Sequence, residues 1–473
     1  MNKSFRVNAT GCSLVDNLYG HVDFSSETYR RLSSRKPGDG GLATGGLVFA
    51  EAFAEFASSA GRENGGNGGT GGHAPAAGNT AGGQDSGSPG SPDSPDSGPA
   101  ETDYPGILKS LTGSPGPDSS NIGGPGIVPV IHAAQVKQNP DILYRFAGVL
   151  GRDDNGRRFR ELMEKAGFPL KDYRESDLPT PSTDVLSDPA YDGGRGERTF
   201  INTIGAAGTY TPESLPEDFF DGDFLLFGGT ALVPPLHDNL DKLCRRGREA
   251  GAFVMVTTVF DFRNEARLQG RPWPLVNDYG NIDLLVTDRE EALKISGEAS
   301  PEAAMNWFLN RGCRGVVVTQ GADAVLLGTA QGQNGFNGLG QSAPGGGGAG
   351  RFLTPGRRSM PTCRYADEVV AGLTKKRDTT GCGDNFVGGM VDSLAHQMAT
   401  MATMATMAAE KSGGPAGENR LNLEEAVISG IAAGSVALTC LGGVYYEEKP
   451  GEKFKAMEPY FDAYRRELME QKK

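Results

Sequence analysis

Short runs of consecutive apolar residues alternate along this chain with longer segments whose apolar residues recur every three or four positions. Continuous apolar runs of this kind are typical of parallel strands that are covered on both faces. The predicted strands are residues 5–10, 146–150, 198–204, 224–227, 253–259, 283–287, 315–319 and 324–327. The predicted helices are residues 155–166, 240–250, 301–311, 423–441 and 454–470. The alternation predicts an α/β fold with a doubly wound, mostly parallel sheet flanked by helices, whose ligands bind at the carboxyl ends of the strands.

Two segments of low complexity interrupt this pattern. Residues 61–100 contain no Leu, Ile, Val, Phe, Met, Tyr or Trp, and 13 of these 40 residues are Gly. A segment with nothing to bury cannot offset the entropy of ordering, so we expect a disordered Gly/Ser/Pro-rich insertion over residues 61–118. Residues 329–351 carry nine glycines and form a second, Gly-rich insertion. With both set aside, residues 1–473 are predicted to hold a single α/β domain.

Charge and cysteine content restrict the partners and the compartment. The net charge of −13, from 46 basic and 59 acidic residues, disfavours nucleic acid and anionic membranes as partners. The six cysteines form no C-x-x-C pair and no signal peptide opens the chain, so a reducing, cytoplasmic location is expected. Residues 426–444 are weakly charged but rich in Gly, Ser and Thr, which favours a buried helix over a membrane span.

The most informative motif is D-T-T-G-C-G-D-N-F at residues 378–386. Gly381 and Gly383 flank one small residue, which lets consecutive N–H groups turn toward one point. Apolar residues recur at helical spacing after Asp384, so the turn should lie at a helix N-terminus, where anions are held most readily. Asp384 would then be a proton acceptor beside a phosphate site, which predicts phosphoryl transfer. An ordinary helix start, with Asp384 as a first-turn acidic residue, is the alternative that the local sequence leaves open.

This motif resembles the C-terminal signature D-T-x-G-A-G-D of the PfkB/ribokinase family of carbohydrate and nucleoside kinases. Cys382 replaces the alanine, which leaves the backbone donors in place. The resemblance implies a ribokinase-like fold with a small β-sheet lid from about residues 15–50 and 180–205. It also implies ATP and Mg²⁺ as cofactors and the phosphorylation of a hydroxyl on a sugar or sugar-like substrate. Asp384 would be the general base, and the N–H groups of Gly381, Cys382 and Gly383 would form the anion hole.

Several further residues are candidates for holding the sugar. Asp16 follows the first predicted strand, and its carboxylate could accept hydrogen bonds from vicinal hydroxyls or simply cap a turn. The Gly123-Gly124 pair resembles the N-terminal G-G element of the family, but Ile127 and Val128 stand where relatives usually carry an asparagine. Asn121, or else Asp39, could compensate for this difference. Arg198, on a strand of the expected lid, could clamp a phosphate or sugar or could equally be an ordinary exposed strand arginine.

The nucleotide and metal candidates come from two more resemblances. Asp288-Arg289-Glu290-Glu291 is similar to the family's N-x-x-E element, so Glu291, with Asp288, would organise Mg²⁺ and its waters; an acidic first helical turn is the alternative. Asp378 would orient the glycine turn or a metal-bound water. Four residues would line the nucleotide's ribose or phosphates, namely Thr319, Gly321, Thr379 and Thr380. For residues 316–324 the local sequence equally allows a plain hairpin.

Two other functions stay open at this point. A nucleoside kinase of the same family would stack its base on aromatic lid residues, for which Phe24, Tyr29 and Phe200 are candidates. A kinase-like fold kept as a binding protein is the other, and the intact Asp384 disfavours it. The expected partner is a small sugar or nucleoside, and the resemblance adds a homodimer formed through the lid.

Overall fold

The structure is a computed structural model that describes residues 4–36, 38–63, 104–194, 196–330, 356–372, 379–412, 420–440 and 442–471. The chain divides into two compact units. The first unit holds residues 1–17, 119–184 and 203–473, and the second holds residues 18–118 and 185–202. The single domain predicted over residues 1–473 is therefore subdivided. The second unit overlaps the segments from which a lid was expected.

The first unit is built on a nine-stranded sheet with the order β14-β13-β12-β11-β10-β9-β1-β5-β6. Pairing is parallel from β12 through β6, whereas β13 pairs antiparallel with both of its neighbours, β12 and the edge strand β14. The strands are β1 (Phe5–Gly11), β5 (Ile142–Gly151), β6 (Tyr173–Ser176), β9 (Phe224–Gly228), β10 (Phe253–Thr257), β11 (Leu284–Asp288), β12 (Gly315–Gln320), β13 (Asp323–Thr329) and β14 (Arg357–Met360). Strand β9 is buried at all five positions, as its unbroken apolar run predicts.

Helices flank this sheet, and the segments between strands fold as their 3.6-residue apolar spacing predicts. They are α4 (Ile127–Val136), α5 (Asp154–Lys165), α7 (Pro234–His237), α8 (Leu240–Glu249), α9 (Phe262–Leu268), α10 (Arg289–Ser296), α11 (Pro301–Asn310), α12 (Arg364–Ala371), α13 (Cys382–Ser412), α14 (Leu423–Ala437) and α15 (Glu452–Gln471), with a one-turn segment α6 (Tyr191–Gly194) in the second unit. Helices α4, α13, α14 and α15 share one continuous core with β1 and β5, centred on residues such as Met390, Val391 and Leu394. This core fixes the start of α13 against the sheet.

A second, five-stranded sheet has the order β3-β8-β7-β2-β4. Its strands are β2 (Leu14–Tyr19), β3 (Leu47–Phe49), β4 (Ser119–Gly123), β7 (Ser182–Asp188) and β8 (Glu197–Thr203). The boundaries between the two units fall inside β2 and β7. Within the second unit, helices α1 (Glu27–Leu32), α2 (Ala50–Glu63) and α3 (Tyr104–Thr112) contribute to a separate hydrophobic core that includes Phe53 and Ile201.

The predicted fold class and the predicted strands and helices are confirmed, with ends displaced by up to four residues. The predicted insertion at residues 61–118 is wrong at both ends, since α2 continues to Glu63 and α3 begins at Tyr104. Leu108 and Leu111 of α3 are buried, because the apolar residues after residue 103 supply the hydrophobic surface that residues 61–100 lack. Residues 64–103 and 331–355 lie outside the described residues, and the second range contains most of the insertion predicted at residues 329–351.

Of the apolar segment at residues 426–444, residues 426–437 belong to α14, which is largely buried in the core as predicted. In the described ranges, no helix combines the length and the apolar character that a membrane crossing requires.

Candidate active site

The carboxyl ends of the parallel strands lie along one edge of the large sheet. Gly11 at the end of β1 pairs with Gly228 at the end of β9, and Asp288 at the end of β11 pairs with Thr319 of β12. The carbonyl of Gly228 receives the N–H of Cys12, so the chain leaves β1 held against its neighbour. Ligands of open α/β sheets bind outside this edge. Of the predicted site residues, Asp288, Thr319 and Gly321 lie at or just after these strand ends.

A tight turn precedes helix α13. Gly381 has φ +79°, and the N–H of Cys382 donates to the carbonyl of Thr379 at 3.2 Å. A hydrogen bond of this span with a positive φ at the third residue defines a type II turn, which favours glycine there. A Cβ on Gly381 would lie 2.5 Å from the Cα of Gly443, so the backbone of residues 442–446 lies directly on the turn. The turn thus depends on glycine for its conformation and for its packing.

The turn also corrects one predicted donor. Because the N–H of Cys382 closes the turn, it is not free to bind an anion, as the sequence had suggested. The N–H groups of Gly381 and Gly383 donate to no carbonyl within the described part of the chain. Gly383 is exposed at the start of α13, where unpaired N–H groups and the helix dipole favour an anion.

Asp384 lies in the first turn of α13. Burial raises the pKa of its carboxyl group from 3.8 to about 6. Within the described residues no side chain or backbone group donates a hydrogen bond to it. A carboxylate that is desolvated and unpaired is a stronger base than one held by donors, so this group is suited to accept a proton near neutral pH.

A second carboxylate faces the same small region. Cys12 is buried, and its pKa is raised by that burial and then by the charges of Asp384 and Asp16. Both carboxylates therefore lie within electrostatic reach of one thiol at the end of β1. Asp16 belongs to β2, not to the loop after the first strand as expected.

The glycine pair before α4 allows the close approach of these groups. A Cβ on Gly123 would lie 2.1 Å from Oδ2 of Asp16, so any larger residue would displace that carboxylate. Gly124 has φ +109°, and a Cβ there would lie 2.7 Å from the carbonyl oxygen of Cys12. The N–H of Gly126 donates to the same carbonyl at 3.0 Å. The G-G element therefore shapes the backbone around Asp16 and Cys12.

A cavity of about 550 Å³ lies at the ends of β11 and β12. Asp288, Thr319 and Gly321, all predicted from sequence, line it together. Its charged lining is mixed, with Arg289 and Lys294 beside Asp288, Glu290 and Glu298, and Lys294 forms an ion pair with Glu265. A cavity of this size at the carboxyl edge of the sheet, with Arg289 in its lining, can receive a small anionic ligand such as a nucleotide.

Two carboxyl groups meet at the start of α10. The Asp288 side chain accepts a hydrogen bond from the N–H of Glu291 at 2.8 Å and caps the helix. Burial, and then the charge of Asp288, raise the pKa of Glu291, whose carboxylate accepts a hydrogen bond from Thr258. Burial also raises the pKa of Asp288. A cation nearby would relieve the repulsion between these oxygens, so the pair fits an ion that keeps most of its waters, such as Mg²⁺.

Comparison with known proteins identifies the family. Residues 119–342 match the family described as "pfkB family carbohydrate kinase". These residues form a pfkB family carbohydrate kinase domain. The chain is accordingly a kinase, and the predicted resemblance is confirmed. The residues that match the family end at 342, before Asp384, so the role of Asp384 stays a proposal.

Individual relatives agree with this domain. The chain is 26% identical over 257 residues to aminoimidazole riboside kinase of Salmonella typhimurium, which covers 53% of this chain and 67% of that protein. The structure is similar to adenosine kinase from Schistosoma mansoni in complex with 2-fluoroadenosine, at a TM-score of 0.57 and 12% identity, over 94% of this chain and 98% of that one. It is also similar to Arabidopsis thaliana ribokinase complexed with ribose and ATP, at a TM-score of 0.50 and 15% identity, over 96% and 99% of the two chains. Both likenesses show a ribokinase-like fold.

Some candidates of the pfkB kinase domain have other roles in the structure. The Asn121 side chain accepts a hydrogen bond from the hydroxyl of Tyr446 at 2.7 Å and donates to the carbonyl of Val444. The Asp39 carboxylate accepts three backbone N–H bonds, from Arg35, Lys36 and Gly41. Burial opposes the shift, but these bonds, that from Gly41 first, lower its pKa to about 2. Both side chains are used to hold loops, so we do not carry them forward as sugar ligands.

The remaining predicted site residues have different outcomes. Arg198 lies in the second unit with its guanidinium 5.8 Å from the centre of the Phe200 ring, and its role stays a prediction. Thr379 and Thr380 form the first half of the turn. Asp378 lies outside the described residues. Phe24 and Tyr29 are buried and stack on each other with ring centres 4.2 Å apart, so the prediction that they receive a base is wrong.

Sequence reasoning missed one residue that builds the site. The amide of Asn385 donates to the carbonyl oxygens of Gly381 and Gly443, both at 2.8 Å. It thereby joins the turn to the segment that packs on it. The signal was an amide residue directly after Asp384, at the start of a helix that is otherwise apolar on its buried face.

Proposed function

We propose that this pfkB kinase transfers the γ-phosphoryl group of ATP to a hydroxyl of a sugar or sugar-like substrate, with Asp384 as the general base. The observation that carries this proposal is the Asp384 carboxyl group, which is partly buried, has no hydrogen-bond donor among the described residues, and lies beside a glycine turn at a helix start. A carboxylate that stabilises the fold is usually paired with a donor. The raised pKa and the unpaired state of this carboxyl group support a role as a base beside the proposed anion site.

The proposed reaction needs few groups from the protein. The acceptor oxygen forms a bond to the γ-phosphorus as the bond from that phosphorus to the β,γ-bridging oxygen breaks, and ADP leaves. The hydroxyl proton passes to the Asp384 carboxylate. The N–H groups of Gly381 and Gly383 offset the negative charge on the transferring phosphoryl group. Positioning and electrostatics supply most of the acceleration in such reactions.

The cavity lined by Asp288, Thr319 and Gly321 is proposed to hold the nucleotide, because it lies at the carboxyl edge of the sheet and carries Arg289 in its lining. Asp288 and Glu291 would hold Mg²⁺ through its waters. When bound, the ion would neutralise charge on the nucleotide phosphates.

A nucleoside is the second candidate for the acceptor. The chain's similarity to aminoimidazole riboside kinase and the structural likeness to an adenosine kinase favour it. Both acceptor classes present ribose-like vicinal hydroxyls, and the Asp16 carboxylate can accept hydrogen bonds from them. A base would need contacts other than the buried Phe24–Tyr29 pair.

A substrate panel tests the function. Purified full-length protein is mixed with ATP, Mg²⁺ and single sugars or nucleosides, and ADP release and phosphorylated product are measured. We expect product with at least one sugar or nucleoside, and loss of turnover when a chelator removes Mg²⁺ and its return when Mg²⁺ is added back. ATP hydrolysis without any phosphorylated acceptor across the panel would contradict the proposal.

Asp16→Asn should weaken acceptor binding selectively. The substitution keeps the shape of the side chain but removes the charge that strengthens hydrogen bonds to hydroxyls, a contribution of about 1.5–3 kcal/mol. We expect the KM for the acceptor to rise about tenfold or more, with the KM for ATP within about threefold of the original value. Steady-state kinetics with each substrate varied in turn measures both constants. Equal effects on the two KM values would contradict the assignment.

The pH dependence should report the Asp384 carboxyl group. The pKa of this group is raised to about 6, and only its ionised form accepts a proton, so kcat/KM should fall as the pH drops below about 6 and level off above it. Because the folded state favours the protonated acid, ionisation of Asp384 between about pH 4 and pH 6 lowers the free energy of unfolding. Mild acidification should therefore not destabilise the protein through this group. Asp392 also has a pKa raised to about 6 by burial, so Asp392→Asn should keep the acid limb. An acid limb that disappears in Asp392→Asn would contradict the assignment.

A further inference from the structure

A lysine is buried behind the glycine turn without an acidic partner. Lys453, near the start of α15, is only 2% exposed. Its ammonium donates to Oε1 of Gln135 at 3.1 Å and to Oδ1 of Asn385 at 3.0 Å, and both acceptors are neutral. Among the described ion pairs, none includes Lys453. Burial lowers the pKa of Lys453 to about 7, so keeping the ammonium charged at this position costs stability and calls for a functional reason.

The lysine determines which way the Asn385 amide points. Oδ1 of Asn385 contacts two groups, the Lys453 ammonium and Nδ1 of His132 at 2.8 Å. The carbonyl oxygens of Gly381 and Gly443 on the opposite side can only accept, so the amide NH₂ faces them and the amide oxygen faces Lys453. A flipped amide would place its NH₂ against the ammonium and its oxygen against two carbonyl oxygens.

The histidine agrees with this orientation. Because Oδ1 accepts, Nδ1 of His132 carries the proton, and Nε2 is then a bare, buried nitrogen without a partner. Burial, and then the nearby Lys453 charge, lower the pKa of His132, so the ring is neutral. The position of the proton on His132 therefore agrees with the orientation of the Asn385 amide next to Lys453.

The opposite side of the amide holds the turn. The NH₂ of Asn385 donates to the carbonyls of Gly381 and Gly443, which are the two backbone segments in closest contact at the site. Fixing the Gly381 carbonyl fixes the peptide plane that follows it. That peptide lies within the turn from which the proposed anion donors project.

We propose that Lys453 is a positioning residue for phosphoryl transfer: its ammonium locks the Asn385 amide, which holds the Gly381 turn in the conformation that binds the transferring phosphoryl group. The proposal rests on the function proposed above and adds α15 to the groups that set the turn. Gln135 completes the arrangement, because its Nε2 donates to the carbonyl of Tyr445 at 2.8 Å and anchors the same 442–446 segment.

The test replaces the ammonium by an apolar side chain of similar length. In Lys453→Met, kcat should fall about 10- to 100-fold, the size expected when a catalytic group is misplaced by about 1 Å. The KM values for ATP and acceptor should stay within about threefold, because the turn acts on the transition state. The melting temperature should stay equal or rise, since the cost of a buried charge is removed. A purely structural role would instead lower the melting temperature together with the activity.

The matched control is Lys455→Met on the same helix, where the side chain is exposed. It should leave kcat, both KM values and the melting temperature unchanged. Asn385→Ala should lower kcat at least as much as Lys453→Met, and the double variant should be no worse than Asn385→Ala, because both act through one amide. Additive losses, or a Lys453→Met variant with the original kcat, would overturn the proposal.

Hydrogen exchange supplies a readout that needs no substrate. Peptides that cover residues 379–385 should exchange at least about tenfold faster in Lys453→Met than in the original protein or in Lys455→Met. Unchanged protection of this turn overturns the proposal even if the kinase is active. Should the original protein phosphorylate nothing, the proposed function fails, while faster exchange still supports the positioning by Lys453. If Lys453→Met does not fold, the same exchange and kinetic comparison is made with Asn385→Ala, and unchanged protection there also overturns the proposal.

Discussion

Replacing Asp384 by asparagine should lower kcat by about 100- to 10,000-fold, the range expected for the loss of a general base. The amide has nearly the same shape and cannot accept the hydroxyl proton at neutral pH. The pKa of about 6 shows that burial already disfavours the charge at this position, so folding should tolerate the neutral side chain. Turnover is measured with the best acceptor from the substrate panel, and ATP binding by calorimetry. We expect the affinity for ATP to change little.

Asp392 provides the matched control for this result. It lies on the same helix, and burial raises its pKa to about 6 as well, but its carboxylate accepts a hydrogen bond from Tyr144. Asp392→Asn should therefore retain kcat within about threefold, because it removes an equally perturbed carboxyl group that lies two turns beyond the glycine turn. If Asp384→Asn keeps near-normal turnover, or if both variants lose it equally, Asp384 is not the base.

Gly381→Ala should produce the second large loss. An alanine there meets the left-handed conformation at φ +79°, which costs about 1–2 kcal/mol, and its Cβ would lie 2.5 Å from the Cα of Gly443. Backbone atoms cannot yield as a flexible side chain can, so the turn or the 442–446 segment must shift. A shift of about 1 Å in the phosphoryl-binding groups is expected to lower kcat about 100-fold. Single-turnover kinetics separates this effect from substrate binding.

Gly251→Ala is a control that distinguishes the effect of backbone strain at a glycine from the effect of a steric contact such as that with Gly443. Gly251 has φ +85°, but a Cβ there would meet no atom within 4 Å. The melting temperatures of the two variants are compared with their turnover. We expect Gly251→Ala to lose stability by about 1 kcal/mol and to keep its kcat. A similar loss of kcat in both variants would mean that the loss in Gly381→Ala comes from backbone strain and reduced global stability. The contact between residue 381 and Gly443 would then not be its cause.

The elements of the large sheet could be predicted from sequence because their signals are local. Strand β9 is an unbroken apolar run, and helix α11 begins at the N-cap residue Ser300 with Pro301 as its first residue. The helix α3 was missed because it has only nine residues and follows a long polar segment closely, and its buried Leu108 and Leu111 act through tertiary contacts.

The parts of the site that could be predicted are those formed by consecutive residues of the chain. The glycine turn and Asp384 follow one another in the chain, so their chemistry is readable from the motif. Lys453, Asn385 and His132 are separated by 68 and 253 residues, and only the fold brings their side chains together. Asn121 and Asp39 were proposed from position alone, and their hydrogen-bond partners show that such residues can equally hold loops.

Strands β13 and β14 are neighbours at the edge of the large sheet, although 27 residues of chain separate Thr329 from Arg357. The two ends of this connection are already tied, since the N–H of Thr329 donates to the carbonyl of Gly356 at 3.0 Å. Because the closing entropy of a loop grows only slowly with its length, by about 0.6 kcal/mol per doubling, the sheet edge tolerates a wide range of connectors here. The hairpin is therefore a natural place to splice in a reporter module or an affinity handle without rebuilding either strand.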